Sequence, residues 1–403
     1  MATVVLLGTL DTKGHEYAYL AERLREQGVD TLVVDAGVFA PQIEPDVSRQ
    51  DVASAAGADA DALAAAGDRG AAVSAMAQGA AAVVKRLHEE GGLDGIVSVG
   101  GSGNSSIAAS AMRVLPVGVP KLIVSTVASG DTRPYMGAID VTMMYSVVDI
   151  AGINQISARI LTNAAGAIAG MVKAQAPPLG ETKPLVTASM FGVTTPCVTR
   201  ARERLEELGY EVLVFHQTGT GGESMEELMR AGFIAGSLDV TLTELADELV
   251  GGVLPAYPGR AEAAGELGLP QVVSLGALDM VNFGPRDSVP ERFEGRNLYV
   301  HNPTITLMRT TPEECRELGR RIGRKLSGAK GPTALFVPLR GVSMIAVEGQ
   351  PFHDPEADAA LLEGLRETLG GDVEAHELDA DVNDESFALA MADRLDGMIR
   401  EGR

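Results

Sequence analysis

The sequence predicts an α/β fold made of two Rossmann-like subdomains, each with a mainly parallel sheet flanked by helices. One pattern occurs twice, at residues 3–37 and 185–219: an apolar run, a turn rich in Gly and Thr, an amphipathic helix and a second apolar run. This is the pattern of a βαβ unit, and its recurrence indicates two similar halves. A chain of 403 residues also exceeds what one hydrophobic core usually holds. We therefore predict two domains, 1–180 and 181–403.

In the first half, short apolar and β-branched runs predict buried parallel strands. These runs lie at residues 3–7, 31–34, 94–99 and 120–127. Residues 68–90 fit a helix, and residues 145–173 fit one or two helices. The Pro- and Asp-rich residues 38–60 are predicted to be irregular, and the Pro pair within residues 175–183 predicts a linker.

The second half repeats this order of elements. Strands are predicted at 185–190, 211–216, 234–239, 271–275 and 333–337. Helices are predicted at 196–208, 223–231, 243–250, 312–327 and 355–370. Continuous alternation of strands and helices is typical of parallel sheets covered by helices on both faces.

The composition argues against two classes of partner. The net charge is −22 and Lys and Arg form no basic cluster, so the chain lacks the basic surface that nucleic acid requires. Every apolar stretch is interrupted before it reaches 18 residues, so no membrane span is predicted. The two cysteines, Cys197 and Cys315, form no disulfide framework, and no signal peptide is visible. We expect a cytoplasmic protein.

The strongest candidate for a ligand site is the sequence GGSGNSS, which follows a predicted strand and leads into a helix. Glycine lets the backbone approach a ligand closely, and a helix N-terminus offers free N–H groups and a positive dipole end to an anion. The alternative is a tight turn in which Ser caps the helix. The predicted ligand-binding residues of this loop are Gly100, Gly101, Ser102, Gly103, Asn104 and Ser105.

Two further loops of the first half are expected on the same rim. In GTLDTKG, Thr9 supplies a hydroxyl group, and Lys13 is a cation at a helix start, where the dipole disfavours it unless an anion is near. In STVASGDTRPYMG, Ser129 and Gly130 follow the fourth strand. For both loops the alternative is an ordinary solvated turn or a helix cap.

Polar residues also follow the strands of the second half. The candidates for acid–base chemistry are His216, Glu244, Asp279 and His301. Taken singly, each is explained as well by a helix cap or a loop hydrogen bond. The histidines lie far apart and show none of the usual ligand spacings, so no metal site is predicted.

Several long strings together resemble a known family, the ATP-binding domain of the tomato mosaic virus resistance protein. They include GTLDTKG, DRG at 68–70, GGSG, YSVVDIAGIN, MFGVTTPCV and GALDMVNFGP, and the resemblance spans roughly residues 3–390. It implies two Rossmann-like subdomains, a homodimer and binding of ATP, with or without Mg²⁺. In the plant member a TIM-barrel domain follows, so the resemblance also implies a separate TIM-barrel partner protein for this chain.

The chain departs from the family pattern at three places. Asn104 and Ser105 stand where the family usually has Gly-Thr; Asn tolerates a left-handed backbone and Ser keeps the hydroxyl group. Ala346 stands where the family often has Asp, and Asp381 where it often has His. The last two departures put a shared catalytic chemistry in doubt.

Two functional hypotheses follow from the sequence. In the first, the chain binds ATP or a related phosphate-bearing small molecule through its Gly- and Ser-rich loops. In the second, it is a metabolic enzyme of the hydrolase or lyase type that acts on a small acidic or phosphorylated substrate in a cleft between the subdomains.

Overall fold

The computed structural model describes residues 2–175 and 182–402. The chain forms two compact units, Met1–Pro178 and Leu179–Arg403. The boundary predicted at residues 180 and 181, and most of the predicted linker at 175–183, lie outside the described residues.

The N-terminal unit is an α/β sandwich around one five-stranded sheet. Its strands run in the order β2-β1-β3-β4-β5, and each neighbouring pair is parallel. Its elements are β1 (Thr3–Gly8), α1 (Leu10–Glu26), β2 (Asp30–Asp35), α2 (Arg49–Ala55), α3 (Ala60–Ala66), α4 (Arg69–Glu89), β3 (Gly95–Gly100), α5 (Ser102–Arg113), β4 (Lys121–Ser125), α6 (Arg133–Met136), β5 (Thr142–Tyr145) and α7 (Gln155–Lys173).

Alternating side chains of β1 show why this sheet is covered on both faces. Val5 and Leu7 pack into a core with residues of α4 and α5, whereas Val4 and Leu6 pack into a second core with residues of α1 and α7. Successive side chains of a strand point to opposite faces, so a strand that is apolar at every position needs helices on both sides. The uninterrupted apolar run of the sequence therefore fixes the three-layer arrangement.

The C-terminal unit contains a six-stranded parallel sheet and a small antiparallel one. The large sheet has the order β14-β13-β9-β8-β6-β7, and the small sheet has the order β10-β12-β11. Its elements are β6 (Leu185–Met190), α8 (Thr195–Glu207), β7 (Glu211–His216), α9 (Gly221–Arg230), β8 (Ile234–Thr241), α10 (Thr243–Val250), α11 (Ala263–Leu267), β9 (Gln271–Gly276), β10 (Met280–Phe283), β11 (Leu298–Asn302), β12 (Ile305–Arg309), α12 (Pro312–Ser327), β13 (Thr333–Pro338), α13 (Pro355–Thr368), β14 (Glu374–Leu378) and α14 (Glu385–Glu401).

Both units share a topological switch point. In each, the first strand lies between the second and the third. The connection after the first strand therefore leads to one side of the sheet, and the connection after the third strand leads to the other side. In open α/β sheets, ligands bind at the carboxyl ends of the strands beside such a point, because the two connections diverge there and leave a crevice. The predicted α/β class with mainly parallel sheets is confirmed.

Two predictions about elements were wrong, and one sheet was not predicted. The segment 145–173 is helical only from Gln155, because the Asn154 side chain accepts hydrogen bonds from the N–H groups of Ile156 and Ser157 and starts α7 there. The irregular excursion at 38–60 contains α2, which begins with a capping box at Ser48. The antiparallel sheet formed by β10, β11 and β12 was not predicted, because its short strands have no regular alternation with helices.

None of the helices in the described parts of the chain is long and apolar enough to cross a membrane.

Candidate functional site

A pocket of about 670 Å³ lies at the switch point of the N-terminal unit. Its walls come from the loops after β1, β2, β3 and β4 and from the segment that joins α3 to α4. This volume falls within the range of about 300–1,000 Å³ that is typical of small-molecule sites. Six of the predicted ligand-binding residues line the pocket: Thr9, Lys13, Gly101, Ser102, Gly103 and Asn104.

The N-terminus of α5 faces this pocket without a cap. Its N-cap residue is Gly101, which has no side chain to accept a hydrogen bond. Within the described chain, no acceptor is found for the N–H groups of Ser102, Gly103 and Asn104, and intrahelical bonding starts with Ser105 N–H to the Gly101 carbonyl at 2.9 Å. Free amide groups and the positive end of a helix dipole are features with which proteins bind anions.

Asn104 connects the two loops at the switch point. Its Oδ1 accepts a hydrogen bond from the N–H of Thr9 at 3.2 Å, and its Nδ2 donates to the Oγ of Ser98 at 2.8 Å. The expectation that a left-handed backbone explains Asn at this position was wrong, because Asn104 lies inside α5 with a helical backbone. A Cβ at Gly100 would come within 2.5 Å of the Asn104 Cβ, so this close approach requires glycine at position 100.

Arg69 lies beside the glycine loop, residues 100–106, and it was not predicted from the sequence. Its Nη2 lies 3.6 Å from the position that a Cβ at Gly103 would occupy. The side chain is exposed, lines the pocket and forms no ion pair with any carboxylate in the described residues. The signal was present in the string DRG, where an arginine takes the first position of a helix and so opposes the dipole.

The start of α1 is less available to a ligand than the start of α5. Asp35, at the end of β2, accepts hydrogen bonds from the N–H groups of Leu10 and Gly37 through Oδ1. Burial raises the pKa of Asp35, and these hydrogen bonds partly oppose that effect. The ammonium group of Lys13 donates to the carbonyl of Ile150, so it lines the pocket but is already engaged.

Four of the predicted ligand-binding residues do not line the pocket. Gly100 is buried as the last residue of β3, and Ser105 is turned inward, with its Oγ 2.7 Å from the Oγ of Ser125. Ser129 and Gly130 are exposed in the turn after β4, where Thr126 and Val127 line the pocket instead.

The four acid–base candidates of the C-terminal unit are not joined to one another. His216 ends β7, with its ring 5.4 Å from that of Phe191, and His301 lies in β11, with its ring 6.4 Å from that of Tyr299. Both histidines are exposed, whereas Glu244 and Asp279 are buried. In the described residues, no hydrogen bond or ion pair joins any two of the four.

Glu244 belongs to a buried network around Arg260. The guanidinium group binds both carboxylate oxygens of Asp239, at 2.5 and 2.7 Å, and also pairs with Glu226 and Glu244. Burial raises the pKa of Glu244, and the charge of Arg260 opposes that rise. Arg260 therefore lies at the carboxyl end of β8. The strand at the same place in the sheet of the N-terminal unit is β3, and its carboxyl end opens onto the pocket.

Asp279 is buried with one carboxylate oxygen engaged. Its Oδ2 accepts a hydrogen bond from the Oγ of Ser343 at 2.7 Å, while its Oδ1 has no partner in the described chain. Burial raises the pKa of Asp279 to about 6.

Two departures from the family pattern lie in this unit. Ala346 is buried near Ser343, and Asp381 accepts a hydrogen bond from the N–H of Asn383.

Among the described residues, no three His, Cys, Asp or Glu side chains are grouped closely enough to hold a metal ion.

The sheet order and the uncapped α5 at the switch point place the N-terminal unit in the doubly wound α/β class, with the flavodoxin-like strand order. Two domain models of one family, described as Uncharacterised protein family (UPF0261), match this chain. The N-terminal domain matches residues 2–177, and the C-terminal domain matches residues 183–399. The chain belongs to this family.

The relatives include bacterial and plant proteins. A UPF0261 protein of Clostridium tetani is 54% identical over 400 residues, which cover 99% of each chain. A UPF0261 protein of Mesorhizobium japonicum is 45% identical over 398 residues, which cover 98% of this chain and 99% of the relative. The ToMV resistance protein Tm-1(GCR237) of Solanum lycopersicum is 39% identical over 413 residues, which cover 97% of this chain and 55% of the tomato protein.

Similarity to solved structures is much weaker. The UDP-GlcNAc 2-epimerase of Neisseria meningitidis, bound to UDP-GlcNAc, is 10% identical, with 68% of this chain and 82% of that chain covered and a TM-score of 0.26. A TM-score this low supports no conclusion about the substrate of this chain.

Proposed function

We propose that the N-terminal unit binds ATP or a related phosphate-bearing small molecule in the pocket at its switch point. The observation that carries this proposal is the pairing of the uncapped α5 N-terminus with the unpaired Arg69 beside it. Three free N–H groups and a guanidinium group supply the donors that phosphate oxygens accept.

Three carboxylates line the pocket, and each one accepts a hydrogen bond from a backbone N–H. Asp11 accepts a hydrogen bond from the N–H of Phe39, Asp68 from that of Ala71, and Asp149 from that of Ile150. Each carboxylate is therefore stabilised by a backbone donor and keeps its negative charge, whereas Arg69 has no carboxylate partner in the described residues. An anionic ligand is the group that would complete the site.

Family membership supports the proposal only through the resemblance of the loops. The chain aligns with about 55% of the tomato protein, whose name refers to virus resistance and not to a ligand. The homodimer, the cytoplasmic location and the TIM-barrel partner stay predictions. The enzymatic alternative also stays a prediction, and it requires at least two of the four acid–base candidates at one site.

Calorimetric titration with ATP, with and without Mg²⁺, tests the proposal. We expect one saturable site per chain with affinity on the order of micromolar, about −8 kcal/mol. In the Gly103→Val variant we expect binding to be lost, because the added methyl groups enter the pocket at the helix start, where the position of the new Cβ meets no atom closer than 3.6 Å.

Gly166→Val is the matched control for this experiment. Gly166 lies in the middle of α7, and a Cβ there meets no atom within 4 Å. Both variants replace a helical glycine, so their effects on helix stability are similar. ATP affinity that is unchanged in Gly103→Val, or equally reduced in both variants, would contradict the role of the loop.

A further inference from the structure

The C-terminal unit carries a carboxylate at the place where the N-terminal unit has its glycine loop. β3 and β8 are the third strands of their units, and each is followed by one residue and then by a helix, α5 or α10. Gly103 is the second residue of α5, and Glu244 is the second residue of α10. The same step of the fold therefore holds no side chain in one unit and a carboxylate in the other.

The carboxylate of Glu244 is held as a bound anion would be. Its Oε1 accepts hydrogen bonds from the N–H groups of Gly219 and Gly222, at 2.8 and 3.3 Å, in the turn that leads into α9. Its Oε2 accepts a hydrogen bond from the Nε of Arg260 at 3.2 Å. Backbone N–H groups at a helix start and a guanidinium group are donors with which proteins bind small oxyanions.

The chain closes tightly around this carboxylate. Glu244 and Arg260 are both 0% exposed. A Cβ at Gly222 would lie 2.3 Å from the Glu244 Oε2 and 2.3 Å from the Arg260 Nε, so this close approach requires glycine. The turn after β7 is thus shaped to fit a carboxylate group that the chain itself supplies.

The cations of the two units differ in the same way as the helix starts. Arg69 forms no ion pair with a carboxylate in the described residues, whereas Arg260 pairs with Asp239 and Glu226 as well as with Glu244. A buried guanidinium group is stable only when such partners offset the loss of water. In the C-terminal unit the partners of the cation are therefore already part of the chain.

We propose that Glu244 is a built-in ligand of the C-terminal unit, a carboxylate that fills an oxyanion site at the starts of α9 and α10. The C-terminal unit then takes no free anionic ligand at that place, and a phosphate-bearing molecule has one site per chain although the two units are similar. The occupied site stands without the proposed function, and only the count of one site rests on it.

The test removes the carboxylate and offers it back as a free molecule. Glu244→Ala deletes a methylene and the carboxylate, which together match acetate in size. Urea unfolding is measured with sodium acetate, with sodium chloride at the same ionic strength, and with acetamide. We expect Glu244→Ala to unfold at a lower urea concentration than the wild type, and its midpoint to rise by about 0.5 M as acetate fills the site. The wild type should respond to acetate no more than to chloride, and acetamide, which lacks the charge, should not restore the variant.

Two variants serve as controls. Glu248→Ala removes an exposed carboxylate of the same helix, which pairs with Arg321, and it should unfold like the wild type with or without acetate. Glu244→Gln keeps a side chain in the site, so it should be less stable than the wild type and insensitive to acetate. If Glu244→Ala does not fold in chloride, its circular dichroism is followed while acetate is added.

Each part of the proposal has its own contrary result. Acetate that restores Glu244→Ala no better than chloride or acetamide does would overturn the built-in ligand, because charge in the site would then contribute nothing. Calorimetric titration of the wild type with ATP tests the count, and two sites per chain would contradict it. If the wild type binds no ATP, the proposed function is wrong, while restoration of Glu244→Ala by acetate would still support the occupied site.

Discussion

The guanidinium group of Arg69 lies over the first turn of α5, with Nη2 3.6 Å from the position that a Cβ at Gly103 would occupy. The first turn of α4 thus brings a cation to the first turn of α5, where the dipole and the free N–H groups already favour negative charge. These positive groups lie close together, and no carboxylate of the described chain is paired to Arg69, which is why we propose this place for an anion.

Replacing Arg69 should weaken anion binding without affecting the fold. We expect Arg69→Ala to lower ATP affinity roughly ten- to a hundredfold, in line with the roughly 1.5–3 kcal/mol of a hydrogen bond to a charged group. Arg69→Lys should recover only part of this loss, because an ammonium group lacks the bidentate geometry of guanidinium. Calorimetric titration at low and moderate salt measures both effects, and the salt dependence should be smaller in Arg69→Ala.

The control for this change is Arg159→Ala. Arg159 is an exposed arginine of α7 in the same unit, outside the pocket, so its removal changes the net charge equally. Equal losses of affinity in the two variants would indicate a general effect of charge and no contact from Arg69.

Arg260 should be essential for the stability of the C-terminal unit. Arg260→Met leaves Asp239, Glu226 and Glu244 buried without their shared cation, and removing one partner of such a network costs about 3–5 kcal/mol. Denaturant unfolding measures the free energy of unfolding. Arg202→Met is the control. Arg202 is exposed and, among the described residues, forms an ion pair only with Glu206 on the helix surface, so its replacement should cost less than about 1 kcal/mol. Similar costs for the two variants would show that the buried network contributes little.

Asp279 should make the free energy of unfolding depend on pH. Burial raises its pKa from 3.8 to about 6, so between these pH values the folded state holds a proton that the unfolded state releases. The contribution of Asp279 to stability therefore falls as the pH rises from about 4 to 6, by at most about 1.4 kcal/mol per pH unit. In Asp279→Asn, unfolding measured across this range should show a flatter pH dependence. A slope identical to that of the wild type would mean that Asp279 is ionised in the folded state throughout.

The sequence predicted the elements that depend on neighbouring residues. Apolar runs located β1, β3 and β6 to within a residue or two, since strand periodicity and length are visible in a short window. The glycine loop was also predicted from neighbouring residues, because its glycines stand between a predicted strand and a predicted helix. The structure places Gly101, Ser102 and Gly103 in the pocket. Lys13 was chosen for its position at a helix start, but only the folded chain shows that its ammonium group is engaged by the Ile150 carbonyl.

The remaining features depend on contacts between residues that are distant in the sequence. Nothing near Arg69 in the sequence indicates that α4 will lie beside α5, and nothing near Arg260 indicates three buried carboxylates. By itself the sequence determined the α/β class, the repeated halves and the loop at the start of α5, because these follow from local periodicity and backbone preference. Only the tertiary structure decided which cation meets that loop and which carboxylates surround Arg260. The reason is that helices packed on a parallel sheet meet according to their position along the sheet and not according to their order along the chain.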